Sequence, residues 1–295
     1  MSMPEPFIDR LNPGERTAAF ALVQTTMGEL GDHLPHGILT PTGRDTSFEF
    51  LPPTLGTEKR LGALGTRKDL GDKPFRHAAF YLGQALRSLC GQDLTGMKPE
   101  EAALAVARLP VADVLYLVFA RQALARDGVL QVSVPGCTAC PAEYDSVNVQ
   151  LSTVEVTRLP DEATRDNPPV VRLGLTRGFP FPAGKKVSTV LLKPPAWVDS
   201  LWPLTAGAAN NSSVVNAALM GAAICGVDTC GLRQIPAQAL DEIWPVDFEA
   251  INEALAEITP TPDLTVRFAC PACGAEQSAT LDWARADFFG RSSKR

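Results

Sequence analysis

Long apolar runs are missing from this chain. The two best, Val111–Ala120 and Val214–Cys225, are interrupted or flanked by polar residues and fall short of the roughly 20 apolar residues that cross a bilayer. The opening residues, Met1-Ser2-Met3-Pro4-Glu5-Pro6, lack the basic and apolar stretches of a secretion signal. These absences predict a cytoplasmic location and no membrane partner. Histidine is scarce: His33, His36 and His77 are the only three. None stands at ligand or triad spacing from a plausible partner, and surface or helix-start positions are expected for them. The chain has no Gly-x-Ser-x-Gly elbow, no dinucleotide fingerprint and no His-Glu-x-x-His helix, so it is expected not to be an enzyme. Positive charge is also in deficit. Lys and Arg number 27 against 33 Asp and Glu, a net charge of −6, which repels a phosphate backbone and disfavours nucleic acid as a partner.

What is present suits a protein of one or two domains with a real core: 295 residues, 45% hydrophobic and 20% charged. Seven cysteines, an odd number in a chain without a signal, argue against a disulfide framework and for metal binding or buried thiols. Four of them form two Cys-x-x-Cys pairs, Cys137/Cys140 and Cys270/Cys273.

The surroundings of the two pairs match. Leu89-Cys90-Gly91-Gln92-Asp93 precedes Ile224-Cys225-Gly226-Val227-Asp228 by 135 positions, and Leu109-Pro110-Val111 keeps that spacing to Trp244-Pro245-Val246. The offset slips to 134 at Asp113/Asp247 and Val132/Val266, then to 133 at the cysteines. A tandem duplication with two small deletions is the expectation. The implied fold class is α+β: a helical module followed by a zinc-ribbon-like β-hairpin knuckle, made twice, with the knuckles meeting at a pseudo-twofold axis. The expected segments are an N-terminal helical extension over 1–36, a first repeat over 37–158, a second over 159–290 and a tail over 291–295.

Within each copy the pattern predicts the same order of elements. Helices are expected over Pro74–Gly91 and Asn211–Gly226, each stopped by a glycine suited to the left-handed cap. Shorter helices follow over Lys98–Arg108 and Pro236–Ile243. The third pair starts at proline, Pro110 to Asp127 and Pro245 to Ile258, where the missing N–H is harmless. Phe248, Ile251, Leu255 and Ile258 share one face, as do Val114, Leu117, Arg121 and Leu124 with one charged exception. Asp113 and Asp247 fall in first turns, where a carboxylate offsets the helix dipole. Period-two segments then flank each cysteine pair, Val129–Val134 with Val147–Leu151 and Leu264–Phe268 with Ala279–Leu281. Outside the repeat, Pro13–Leu30 is expected to be a helix capped by Asn12. Residues 51–73 read as a loop-like insertion, and 159–193 as a Pro- and Gly-rich hairpin joining the copies. The stretch Gly56–Arg76, with Lys59, Arg60, Arg67, Lys68, Lys73 and Arg76 against Glu58, Asp69 and Asp72, lacks the Gly-Lys-Ser/Thr ending of a phosphate loop. A solvated or partner-binding loop is expected there.

In a zinc knuckle the turn is tight enough for amide N–H groups to face the thiolates, and a glycine after the second cysteine relieves it. Cys270-Pro271-Ala272-Cys273-Gly274 has that glycine; Cys137-Thr138-Ala139-Cys140-Pro141 does not. Each pair offers two ligands and a structural zinc takes four, so the expected cofactor is one structural Zn2+ held by Cys137, Cys140, Cys270 and Cys273. Free or disulfide-bonded thiols, a redox dithiol and a catalytic zinc are the alternatives. Cys90 and Cys225 are expected as buried structural thiols, and Cys230 has no counterpart.

The order of Thr42-Gly43-Arg44-Asp45, a helix ending near Cys90-Gly91, Leu109-Pro110-x-x-Asp113, Arg121 about two turns on, and a strand leading into Cys-x-x-Cys resembles the baseplate hub assembly proteins of T4-like phages. Similar proteins accompany phage-derived contractile injection systems. The likeness spans residues 38–157 and is echoed from 190 to 285. It implies a chaperone-like, non-enzymatic assembly factor whose partners are baseplate or hub proteins. In the second copy Arg121 becomes Leu255, and part of a binding surface is expected to be lost there. A zinc-ribbon nucleic-acid-binding or regulatory protein is the alternative function.

Overall fold

The first described segment of the computed structural model is strand, not helix. β1 (Arg16–Ala18) and β2 (Val23–Thr26) lead into a one-turn helix α1 (Met27–Leu30), so the helix expected over Pro13–Leu30, and with it the helical character of the 1–36 extension, is corrected. Asn12 does not cap a helix. Its backbone N–H and side-chain amide donate to the Glu15 carboxylate while its carbonyl accepts from the Glu15 amide, closing a turn at Gly14. Sheet pairing then captures the chain and overrides its helix propensity. The structure describes residues 9–134, 136–142, 146–181, 185–228, 237–263 and 265–280. Cys230 and the 291–295 tail lie outside them.

The first half builds its sheet from β3 (His33–Thr40), β4 (Gly43–Phe50), β5 (Leu86–Leu89) and β6 (Gln92–Asp93), in that order and antiparallel throughout. Between β4 and β5 lie α2 (Leu55–Leu64) and α3 (Pro74–Ala85); after β6 come α4 (Pro99–Ala107) and α5 (Val111–Ala125). The expected helix over 74–91 stops at Ala85, because Leu86 and Leu89 pair with Phe50 and Phe48. Cys90 and Gly91 form the two-residue turn into β6, both at positive φ (45° and 72°), as a type I′ hairpin turn requires. Residues 51–73 are not a loop either. Thr54 caps α2 by accepting the Thr57 amide, and Thr57, Leu61 and Leu64 are buried on its inner face.

A long hairpin, β10 (Val171–Phe181) with β11 (Lys185–Leu192), opens the second half after β7 (Val129–Ser133), β8 (Ser146–Gln150) and β9 (Glu155–Arg158). The short helices α6 (Trp197–Ser200) and α7 (Ala206–Ala209) lead to α8 (Ser212–Ala223). There follow β12 (Ile224–Val227), α9 (Ala237–Asp241), α10 (Pro245–Ala256), β13 (Thr265–Ala269) and β14 (Glu276–Thr280). The helix expected over 211–226 ends at Ala223, and Gly226 is a strand residue opposite Leu191 rather than a cap. Hairpin, helix, strand, two helices and hairpin thus occur twice in the same order. Hydrogen bonds recur as well: Leu51 N–H to Ala85 and Lys193 N–H to Ala223, Leu109 N–H to Val106 and Ile243 N–H to Leu240. The last pair and Asp113/Asp247 are each 134 positions apart.

One device fixes helix to sheet in each half. The Asp113 carboxylate, fully buried in the first turn of α5, accepts the amides of His36 and Gly37 at 2.8 Å each. Asp247 in α10 accepts those of Thr176, Arg177 and Gly178 at 2.7–3.0 Å. These amides face away from the ladder because β3 and β10 each shift register there. Gly37 and Gly178 have positive φ, and an added Cβ would come within 2.5 Å of the Asp45 carbonyl or 2.1 Å of that of Val187. Only glycine fits such a bulge.

The halves interlock. β1 is an edge strand of the second sheet through β10, and the Arg16 side chain reaches Glu257 at 3.0 Å. In return the segment after β11 docks on the first half: Trp197 is fully buried in its core, its indole N–H donates to the Phe75 carbonyl, and Pro195 and Trp197 bond to Val111 and Leu109. Asp247→Ala leaves buried amides without an acceptor, each worth about 1–3 kcal/mol, and is expected to lower unfolding free energy by about 3 kcal/mol in urea titrations. Gly178→Ala should lose about 2 kcal/mol by clash and positive φ. Losses under about 1 kcal/mol for both would refute the bulge clasp.

Candidate metal centre

The two cysteine pairs sit at the tips of the β7–β8 and β13–β14 hairpins, whose ladders run to Ser133↔Ser146 and Ala269↔Glu276. Each tip folds back on itself. The Cys137 amide donates to the Ala142 carbonyl at 3.3 Å and the Cys270 amide to the Ala275 carbonyl at 2.8 Å. Gly274 takes φ +73° and donates to the Cys270 carbonyl, the role expected of a glycine in that place; in the first knuckle a positive-φ glycine, Gly136, precedes the pair instead. Amides face sulfur as the turn demands: Ala139 N–H lies 3.3 Å from Cys137 Sγ, and those of Cys273 and Ala272 bond to the Cys270 thiol.

All four sulfurs lie within 4.8 Å of one another. Across the halves, Cys137 Sγ lies 3.8 Å from Cys273 Sγ and Cys140 Sγ 3.9 Å from Cys270 Sγ. A tetrahedron with metal–sulfur bonds near 2.3 Å has sulfur–sulfur edges of about 3.8 Å, whereas a disulfide bond is about 2.0 Å long. The donor set therefore fits one four-thiolate metal ion. Burial is uneven, with Cys270 covered and Cys273 exposed. Beside the sulfurs the halves are also joined directly: Thr138 donates its amide and hydroxyl to the Gln277 side-chain carbonyl at 3.2 and 2.9 Å.

The thiols do not titrate alike. The amides of Cys273 and Ala272 and the neighbouring thiols bring Cys270 down to about 6. Cys140 moves up to about 12: the Ala142 amide lowers it, but hydrogen bonding to the Cys273 thiol, burial and the other two thiols prevail. Such a cluster releases its first proton readily and keeps its last until a cation offsets the gathered charge.

The remaining residues marked in the sequence serve the fold. His36 is buried, contrary to the surface expectation. Its Nδ1–H donates to the Gly37 carbonyl, and burial pushes it down to about 4, so the ring is neutral. His33 is exposed and bonds Thr46 through Nδ1. Cys90 and Cys225 are half-buried; burial raises both, Cys90 to about 12, and the Cys225 thiol donates to the Leu191 carbonyl. Sequence reasoning missed the bulge that Asp113 and Asp247 clasp. Its trace was present as His36-Gly37-Ile38-x-x-Pro41-x-Gly43 against Arg177-Gly178-Phe179-x-x-Pro182-x-Gly184. It also missed the ion pair of Arg121 with Glu58 on α2, which no spacing rule links. Among the described residues no helix is long and apolar enough to cross a membrane. In comparisons with known proteins, no family model, no curated protein and no solved structure matches this chain.

Proposed function

We propose that this chain is a zinc-stapled, non-enzymatic assembly factor for the baseplate or hub of a contractile phage tail or injection system, acting in the cytoplasm on baseplate or hub proteins. The observation that carries this reading is the use made of the residues behind the resemblance. Arg44 donates to the carbonyls of Pro35 and His36, Asp113 clasps the same bulge, and Asp45 lies 3.0 Å from where a Cβ on Gly91 would stand. The Cys90 amide donates to Ser47 in β4. Motifs of this sort specify a scaffold that presents a surface, as an assembly factor needs: Arg44 and Asp113 engage backbone, and Arg121 pairs with Glu58.

On the same reading the two halves are diverged copies of one module, related by a pseudo-twofold axis near the sulfur cluster, and the ion is structural zinc. Four thiolates leave a zinc ion no open position for water, so it acts as a clip and not as a catalyst. Metal analysis should find about one zinc per chain, falling towards zero in Cys137→Ser or Cys270→Ser. Chelation should lower the melting temperature by several degrees, since metal binding energy is folding energy. A metal-free wild type that melts unchanged would rule out the zinc clip.

Loss of the gene is expected to leave tail tubes and sheaths without finished baseplates, scored by electron microscopy of lysates. Normal, contractile particles from the deletion strain would eliminate the assembly role. Retention on DNA that declines steeply with salt would favour the nucleic-acid-binding alternative.

A further inference from the structure

Residues 58–76 carry six basic side chains against three acidic ones in a chain of net charge −6, so the remainder is more negative than the whole. The fold gathers this charge on aromatic rings. The Arg67 and Arg76 guanidiniums lie 4.7 and 5.7 Å from the centroid of Phe80, Arg76 lies 5.3 Å from that of Trp202, and the two rings stack at 6.2 Å. Arg76 Nε is buried and has no hydrogen-bond acceptor among the described residues. Next along α3, Tyr81 bonds to Arg121.

Arg121 is 1% exposed, at the place where the second half has Leu255. Glu58 of α2 pairs with its Nη2, while Nε and Nη1 lack an acceptor among the described residues. A buried cation with open donors is costly, and an apolar residue of similar volume often serves stability as well or better. Leu255 shows such a residue in the matching position. The partner Glu58 comes from an element with no match in the second half, and its side chain is 46% exposed.

We propose that this face, edged by α2, is a docking surface for an acidic segment of a partner protein, whose carboxylates displace the half-exposed Glu58 from the Arg121 guanidinium and pair with the guanidinium of the partly exposed Arg76. Carboxylates are the fitting chemistry because the face already holds them: Glu58 on Arg121, Asp69 and Glu100 on Arg67. The negative remainder of the chain disfavours the longer polyanion of a nucleic acid. The inference holds whether or not the partner belongs to a baseplate.

The test is fluorescence anisotropy of the full-length, metal-loaded protein with fluorescein-labelled octaglutamate, in low salt, beside sodium acetate as competitor and a labelled single-stranded DNA octamer. Octaglutamate is expected to bind. Affinity should fall at least about tenfold in Arg121→Leu and in Arg76→Ala, the range for a lost charge-assisted hydrogen bond, and should rise in Glu58→Gln. Arg121→Leu should melt at or above the wild-type temperature. Millimolar acetate should compete poorly, since it reaches one arginine at a time. Affinity unchanged in the arginine variants, tighter binding of the DNA, or displacement by dilute acetate would overturn the proposal. So would unfolding of Arg121→Leu together with unchanged affinity in Glu58→Gln.

Discussion

A carboxylate buried at the first turn of a helix, clasping a glycine bulge in a hairpin, is the constraint on which each half of this protein depends. Asp113 and Asp247 are wholly buried yet satisfied, because the bulges at Gly37 and Gly178 turn backbone amides out of the ladder and towards them. Charge-assisted hydrogen bonds of this kind are stronger than neutral ones, and a buried carboxylate without them would be severely penalised. The clasp therefore sets where α5 and α10 begin, hence which face meets the sheet and where the following hairpin emerges. That hairpin carries the cysteines. Sulfur convergence at the tips is a consequence of two clasps set alike and of halves locked by β1 on β10 and by Trp197 in the first core.

Chemistry confined to a few consecutive residues was legible in the sequence. Cys-x-x-Cys between period-two runs marked the four cysteines whose sulfurs converge, and proline at a helix start placed α5 and α10 within a few residues. The helical face of Phe248, Ile251, Leu255 and Ile258 also lies inward, Ile251 and Ile258 being buried and the other two packed against the same core. Boundaries decided by a distant partner were not legible. Leu86–Leu89 and Ile224–Val227 continue apolar runs that suit a helix, and they become strands because β4 and β11 offer open edges beside them. Arg16–Ala18 becomes a strand for the same reason. The bulges escaped notice because a lone glycine signals a turn or a bulge equally well until its partner carboxylate is known.

The halves differ where their surfaces differ. Arg121 and α2 occur together in the first, and Leu255 stands without such a helix in the second. A buried arginine needs a nearby acceptor, and Glu58 provides one only because the chain between β4 and α3 is long enough to form α2. In the second half the chain between β11 and α8 takes a different course: it crosses to the first half, where Trp197 fills the core. The stretch between the long hairpin and the helix after it thus serves different ends in the two halves, forming α2 in the first and joining the halves in the second.

Joining by metal suits this arrangement better than joining by further apolar burial. The knuckles lie at hairpin tips whose cysteines range from buried to exposed, and there burial at roughly 25 cal/mol per Å² of apolar surface would contribute little. A metal ion needs no such surface. Bound as proposed, it would draw its affinity from four thiolates whose mutual repulsion it relieves, and would close a loop of 129 residues between Cys140 and Cys270, long enough for the entropy of the unfolded chain to be substantially reduced. The same repulsion makes the clip conditional. Without a cation the four sulfurs, held within 4.8 Å, cannot all ionise, and the tips would lack the metal–sulfur bonds that the proposed ion supplies. On the proposed reading metal occupancy would be linked to how firmly the hairpin tips hold together, while the clasps at Asp113 and Asp247 hold helix to sheet within each half.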